Sequence, residues 1–277
     1  MIIESLLDTD IYKFSMMQAV LHQFPGAVVE YHFRCRTPDA DLRPLRAELE
    51  REIEHLCSLK LNAGELDFLA SQRYIKSDFV EFLRLFHLQA RFVELGEAED
   101  QLTITIRGPW LHTILFEVPL LAIISELYTR RMHAGEDLGE ARQRLAEKIE
   151  QVRGLDRPGA FVFADFGTRR RFSRRWHDEV VATLAREIPD SLRGTSNVRL
   201  ARELGLVPIG TMAHEFIQAA QALGPRLAET QRFAFEVWAR EYRGDLGIAL
   251  SDTYSLNAFL RDFDMYFCKL FDGARQD

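Results

Sequence analysis

The stretch AFVFADFGT, residues 160–168, is a short apolar run that stops on an acid and a glycine, and the next nineteen residues, RRRFSRRWHDEVVATLARE (169–187), have helical spacing. The same sentence is written three more times: LRGTSN (192–197) before VRLARELG, LVPIGT (206–211) before MAHEFIQAAQAL, and LGIALSDT (246–253) before YSLNAFLRDF. Short apolar strands ending in Gly, Asp or Thr and alternating with helices predict a parallel sheet in an α/β fold, with the geometry of a barrel. In such barrels the reacting groups sit where strands run into the following loops. Asp165, Phe166, Arg169, Gly194, Thr195, Gly210, Thr211, His214 and Asp252 all fall at or just past such ends. The βα units are too few to close a TIM-like barrel, and KLFDGARQD (269–277) reads as one more strand beginning, so an irregular, incomplete α/β barrel is expected over 131–277.

Upstream the rhythm is different, and residues 1–130 are expected to form an N-terminal α+β domain. VVEYHFRCR (28–36) and QLTITIRG (101–108) read as strands, the second by strict alternation; LRAELEREIEHL (45–56) and SDFVEFLRLF (77–86) read as helices. WLHTILFEVPLLAIISELYTRRM (110–132) reads as one long helix with a kink at Pro119, its apolar centre buried, and LGEARQRLAEKIEQVRG (138–154) as a charged amphipathic helix. LLDTDIYKFSMMQ (6–18) begins a packing helix capped by Asp8 or Thr9, with Tyr12 and Lys13 exposed near its start.

Composition narrows the function. Of 277 residues, 35 are basic and 42 acidic, a net charge of −7 that argues against a general electrostatic grip on nucleic acid or an anionic membrane. Three dispersed cysteines without ligand spacing argue against a disulfide framework or structural zinc and suit a reducing cytoplasm. The N-terminus carries acids where a signal peptide needs a basic start, and no uncharged run reaches the roughly 20 residues of a membrane span.

Within DFGTRRRFSRRW (165–176) most of the five arginines read as a solvated helix face, but Arg169 lies nearest the strand end, where a guanidinium and backbone N–H groups suit a phosphate or carboxylate. Phe166 beside it is either core or a platform for a flat anionic ring. In GTSN (194–197), Ser196 or Asn197 caps the next helix or donates to a ligand. His214 in GTMAHEF has no metal-ligand partner at helical spacing, which leaves a surface residue or a nucleophilic or acid/base imidazole. Asp252 either caps a helix or lies near a metal-bound, phosphorylated ligand.

Together, LLDTDIYKFSMMQAV, EYHFRCR, GPWLHTILFEVPLLAIISE, DFGTRRRFS, GTSNVRLA, GTMAHEF, LGIALSDTY and AFLRDFD resemble nicotinate phosphoribosyltransferase, in order and over most of the chain. The resemblance implies a homodimer with a shared active site. It makes His214 the histidine that ATP phosphorylates, and Thr211 a nicotinate contact. Phe166 and Tyr12 become the aromatics around the pyridine ring, Tyr12 coming from the partner subunit. Arg169, Thr195, Ser196 and Asn197 become ligand-holding groups, and Asp252 the acid near phosphoribosyl diphosphate and Mg²⁺. Arg275 and Asp277 resemble members of a motif that reads HDSGDP in the family and RQD here, with Gln276 at the histidine position, so the sequence reads as a C-terminally shortened member.

The implied reaction is ATP-coupled transfer of phosphoribose from 5-phosphoribosyl 1-diphosphate to nicotinate, giving nicotinate mononucleotide and diphosphate. Uncharged donors in GTSN favour nicotinate over nicotinamide. Two rivals are a quinolinate-using relative, which has no need of a reactive histidine, and an inactive or regulatory dimerising fragment.

Overall fold

The computed structural model describes residues 1–37, 40–135, 137–155 and 161–276. The chain opens with α1 (Ile11–Gln23) and β1 (Val28–His32), then α2 (Arg46–Ser58), α3 (Ala63–Ala70), α4 (Ser77–Leu85), β2 (Val93–Ala98) and β3 (Gln101–Pro109). The three strands form an antiparallel sheet in the order β1-β3-β2, with Tyr31 and Val93 both opposite Ile106. The alternation of QLTITIRG is the pleat at work: Leu102, Ile104 and Ile106 are buried on one face while the threonines and Arg107 face outward. Sequence reading overlooked β2 and α3, although Asn62 and Glu65 form a full capping box that marks the start of α3.

The segment 110–132 is not one helix. α5 (Trp110–Thr113) is followed by a 3₁₀ turn at Ile114–Phe116 and then by α6 (Glu117–Met132). The break therefore precedes Pro119, which sits in the first turn of α6, where its missing N–H is not needed. By length and composition this apolar stretch could cross a membrane, but 78% of its most apolar window is packed inside the protein, as in a core helix.

The second half begins with α7 (Gly139–Arg153) and continues as β4 (Phe163–Asp165), α8 (Arg174–Glu187), β5 (Leu192–Thr195), α9 (Val198–Leu204), α10 (His214–Leu223), α11 (Thr230–Tyr242), β6 (Ile248–Leu250), α12 (Leu256–Asp262), α13 (Met265–Leu270) and β7 (Gly273–Arg275). β4 pairs in parallel with β5, and β6 with β7. LVPIGT makes no strand: Pro208, which lacks a ladder donor, forms a single parallel bridge to Thr195. That segment nonetheless joins the two pairs, because the Thr211 hydroxyl donates to the Ile248 carbonyl at 3.1 Å. The whole is a mixed α/β protein whose parallel strands end on one side.

α1 lies across those ends. Ile11 N–H donates to the Ser196 carbonyl at 2.8 Å, and the Ser15 hydroxyl to the Thr211 carbonyl at 2.7 Å. A β-carbon at Gly210 would come within 2.9 Å of Ile11 Cγ2 and 3.2 Å of Tyr12 N, so only glycine lets the helix start come so close. The N-cap is Asp10, not Asp8 or Thr9, and its carboxylate accepts from the Ser196 hydroxyl at 2.7 Å instead of capping α1. Asp8 is fully buried and accepts Arg171 Nη1 on both oxygens at 2.9 Å and Asn197 Nδ2 at 2.7 Å.

Removing one member of a buried charge pair leaves the other uncompensated, which costs about 3–5 kcal/mol. Asp8→Ala is expected to lower the unfolding free energy by about that amount in urea titrations. A loss under about 1 kcal/mol would mean that Arg171 finds another counter-charge and that this pair does not anchor the segment.

Candidate active site

The side chains that sequence analysis selected gather along the carboxyl ends of the parallel strands, but they divide into bracing groups and open groups. The GTSN turn is bracing. Thr195, Ser196 and Asn197 are all 0% exposed. Thr195 donates to Asp165 Oδ2 at 2.6 Å, Ser196 to Asp10, and Asn197 Nδ2 to Asp8 and, at 3.1 Å, to the Thr168 hydroxyl. Asn197 Oδ1 accepts Leu200 N–H at 3.0 Å and so caps α9. With their polar atoms spent on protein partners, these residues do not offer a ligand the free donors that the sequence suggested. β5 can only reach this position as glycine at 194, where a β-carbon would lie 2.1 Å from the Val207 carbonyl oxygen.

Asp165 finishes β4 and accepts three times: from Thr195, from Gly167 N–H at 3.0 Å, and at 2.9 Å from His177 Nε2 in the tautomer or ion that carries its proton there. Burial opposes its charge, yet the His177 contact and the other two donors outweigh burial and hold the Asp165 carboxyl below the usual aspartate range.

The open groups lie just beyond. Phe166 is 43% exposed, too far out for core. Arg169, in the 3₁₀ turn Thr168–Arg170, leaves 41% of its side chain to solvent while its Nη1 lies 3.2 Å from Glu117 Oε1. Tyr12 is 7% exposed, not surface-lying; it faces Asp10 and Arg169 of its own chain, and burial followed by the Asp10 charge raises its phenol well above the normal value. Burial likewise raises the Asp10 carboxyl, against the Ser196 hydrogen bond.

His214 is the first residue of α10, and its Nε2 lies 3.0 Å from Asp252 Oδ1. Asp252 is not the cap of α12; Ser255 is. Thr211 precedes the imidazole by one turn of chain, tied to Ile248. Arg275 ends β7 opposite Leu250 and thus beside the Ser251–Asp252 loop; Asp277 lies outside the described residues. Imidazole and carboxylate, guanidinium and open phenyl ring therefore each follow the end of a parallel strand or of the 206–211 bridge segment.

Sequence reading missed the cluster beneath them. Lys13 is not exposed but completely buried, and its ammonium pairs with both Glu117 and Glu215. Glu215 also accepts from the Tyr31 hydroxyl and, at 2.9 Å, from Trp110 Nε1. Burial disfavours the Lys13 charge, but the two carboxylates prevail and raise its pKa; Glu117 is lowered despite burial, chiefly by Lys13. A cavity of about 710 Å³ between β1, β3, α6 and α10 is bordered by Tyr31, Trp110, Glu117 and Glu215. The only signal in the sequence was a lysine in a run of apolar helix residues, with no indication of its distant partners. Among the described residues no group of three or more His, Cys, Asp or Glu side chains is arranged to hold a metal ion.

An α/β fold in which open side chains, Phe166, Arg169 and the His214–Asp252 pair, follow the ends of parallel strands is the arrangement of an enzyme that works at its strand-end loops. The chain belongs to the nicotinate phosphoribosyltransferase family. The model of that family's N-terminal domain matches residues 7–125 and the family model matches 161–277. Among similar proteins, the nicotinate phosphoribosyltransferases of Bordetella pertussis and an Acidovorax species are 58% and 57% identical over all of this chain, which spans 69% and 72% of their lengths. Crystal structures of the Vibrio cholerae and Porphyromonas gingivalis enzymes superpose with TM-scores of 0.94 and 0.93, at 37% and 35% identity, again over the whole chain and over 67% and 70% of theirs. The reaction of this family, phosphoribosyl transfer to nicotinate in NAD biosynthesis, is the function these likenesses support, and identity along the full chain disfavours a purely regulatory role.

Because the folded Asp165 pKa is depressed, its contribution to stability is complete above the unfolded aspartate value of about 3.9 and is lost as pH falls toward the folded value. The gap in urea midpoint between wild type and Asp165→Asn should therefore narrow between about pH 6 and about pH 3. An equal gap at both would show that the native state does not favour this carboxylate's charge.

Proposed function

We propose that the transfer is coupled to ATP through His214, in a homodimer in the cytoplasm that shares its active sites. The observation that carries this reading is the His214–Asp252 contact. Asp252 accepts a proton-bearing Nε2, which leaves the lone pair on Nδ1 to attack the γ-phosphorus of ATP as its bond to ADP breaks. Phosphorylation then adds negative charge and acceptor oxygens beside the strand ends, and the altered site binds the remaining substrates more tightly.

In the transfer itself the pyridine nitrogen of nicotinate forms a bond to C1 of 5-phosphoribosyl 1-diphosphate while the C1–oxygen bond breaks and its electron pair leaves with diphosphate. Phe166 stacks on the ring and the partner subunit's Tyr12 closes its other side. Arg169 faces the nicotinate carboxylate, so preference for the acid over the amide rests on this guanidinium and not on the occupied GTSN donors. Thr211 contacts the nicotinate, and Arg275 borders the diphosphate end of the site. Mg²⁺ is commonly held by one or two carboxylates plus substrate phosphates, and Asp252 fits as that carboxylate; the ion would neutralise charge on the departing diphosphate. The parallel strands belong to an irregular barrel over 131–277, with residues 1–130 as the N-terminal α+β domain.

γ-Labelled ATP should leave acid-labile phosphate on the wild-type protein and none on His214→Ala. Asp252→Asn is expected to slow labelling by roughly 10²-fold, the scale of a lost proton-handling partner. Undiminished labelling of His214→Ala would place the phosphoryl group elsewhere and end this reading.

A further inference from the structure

Arg169, Glu117, Lys13 and Glu215 make an unbroken line of ion pairs, and its last member is bonded through the peptide backbone to His214. Arg169 meets Glu117 at 3.2 Å, Glu117 and Glu215 share the Lys13 ammonium, and Glu215 is the second residue of the helix that His214 opens. The line crosses four elements, the turn after β4, α6, α1 and α10. Its centre is the wholly buried Lys13, whose ammonium also lies 5.9 Å from the centroid of the Tyr12 ring. A buried ammonium has three donors, and the two carboxylates that pair with it divide its attraction, so what one gains the other loses. Tyr31 and Trp110 fix the far side of Glu215, so its response is a small shift of the first turn of α10.

Resting on the reading of Arg169 as anion holder and His214 as phosphoryl acceptor, we propose that Lys13 is a positioning residue that couples the two ends of the site. An anion that draws Arg169 from Glu117 leaves Glu117 more fully to Lys13, loosens Lys13 from Glu215, and resets the start of α10. By reciprocity, added phosphate charge at His214 alters the hold of Arg169 on its anion by the same factor. Neither Lys13 nor Glu215 touches substrate; both act through their neighbours.

The test is the ratio of nicotinate affinities measured with and without ATP, in wild type, Lys13→Met, Lys13→Arg and Glu117→Gln, with His214 labelling followed in parallel. Coupling free energies of this kind correspond to about 5- to 150-fold. The ratio should collapse to within about twofold of unity in Lys13→Met and Glu117→Gln, and be largely restored in Lys13→Arg, while His214 is still labelled in all of them. A merely structural lysine would lower the melting temperature and leave the ratio alone; folded variants that keep the wild-type ratio overturn the proposal. Should Lys13→Met fail to fold, Glu117→Gln decides, since Glu117 is partly exposed and the change conserves its volume. Wild-type protein that is labelled on His214 yet shows no effect of ATP on nicotinate also overturns it, whereas wild type without label refutes the phosphorylation reading first and this inference with it.

Discussion

The architecture depends on ionic groups carried into the interior by the first fifteen residues. Asp8, Asp10 and Lys13 are essentially inaccessible, and each is met by partners from the second half of the chain: Arg171 and Asn197, Ser196, and Glu215. Isolated, any one of these charges would be prohibitively costly to bury. Paired, they hold α1 across the strand ends with an orientation that apolar packing alone does not dictate. The glycine at 210 and the serine at 15 then set how close the helix comes.

This bracing explains why the site has two tiers. The lower tier, made of Thr195, Ser196, Asn197 and Asp165, is saturated by its neighbours and serves as a rigid floor. The upper tier, Phe166, Arg169, His214 and Asp252, retains exposure and chemistry to offer. Preorganisation of this kind is what lets open groups act without a large cost of ordering on each turnover.

Much of this was legible in the letters. The four apolar runs ending in Gly, Asp or Thr located β4, β5, β6 and the 206–211 bridge, and the alternation of QLTITIRG located β3, because pleat and helix periodicities are written in consecutive residues. His214 and Asp252 were named separately, but that they touch could not be read, since 38 positions separate them and only the β6 loop brings them together. The burial of Lys13 was misjudged for the same reason: its compensating carboxylates lie at 117 and 215. Polar residues of GTSN were offered as ligand donors because nothing local reveals that a distant acid has already claimed them. Short-range rules report what a segment prefers; which buried charges meet is decided by topology.

The separation of these partners also bears on how the molecule is made. Asp8 finds Arg171 and Asn197 at sequence distances of 163 and 189 residues. A chain made N-terminus first cannot complete these pairs until residues 171 and 197 have left the ribosome, so full docking of α1 waits on them. Cleavage close to Asp8 or Asp10 would be felt at this step of maturation.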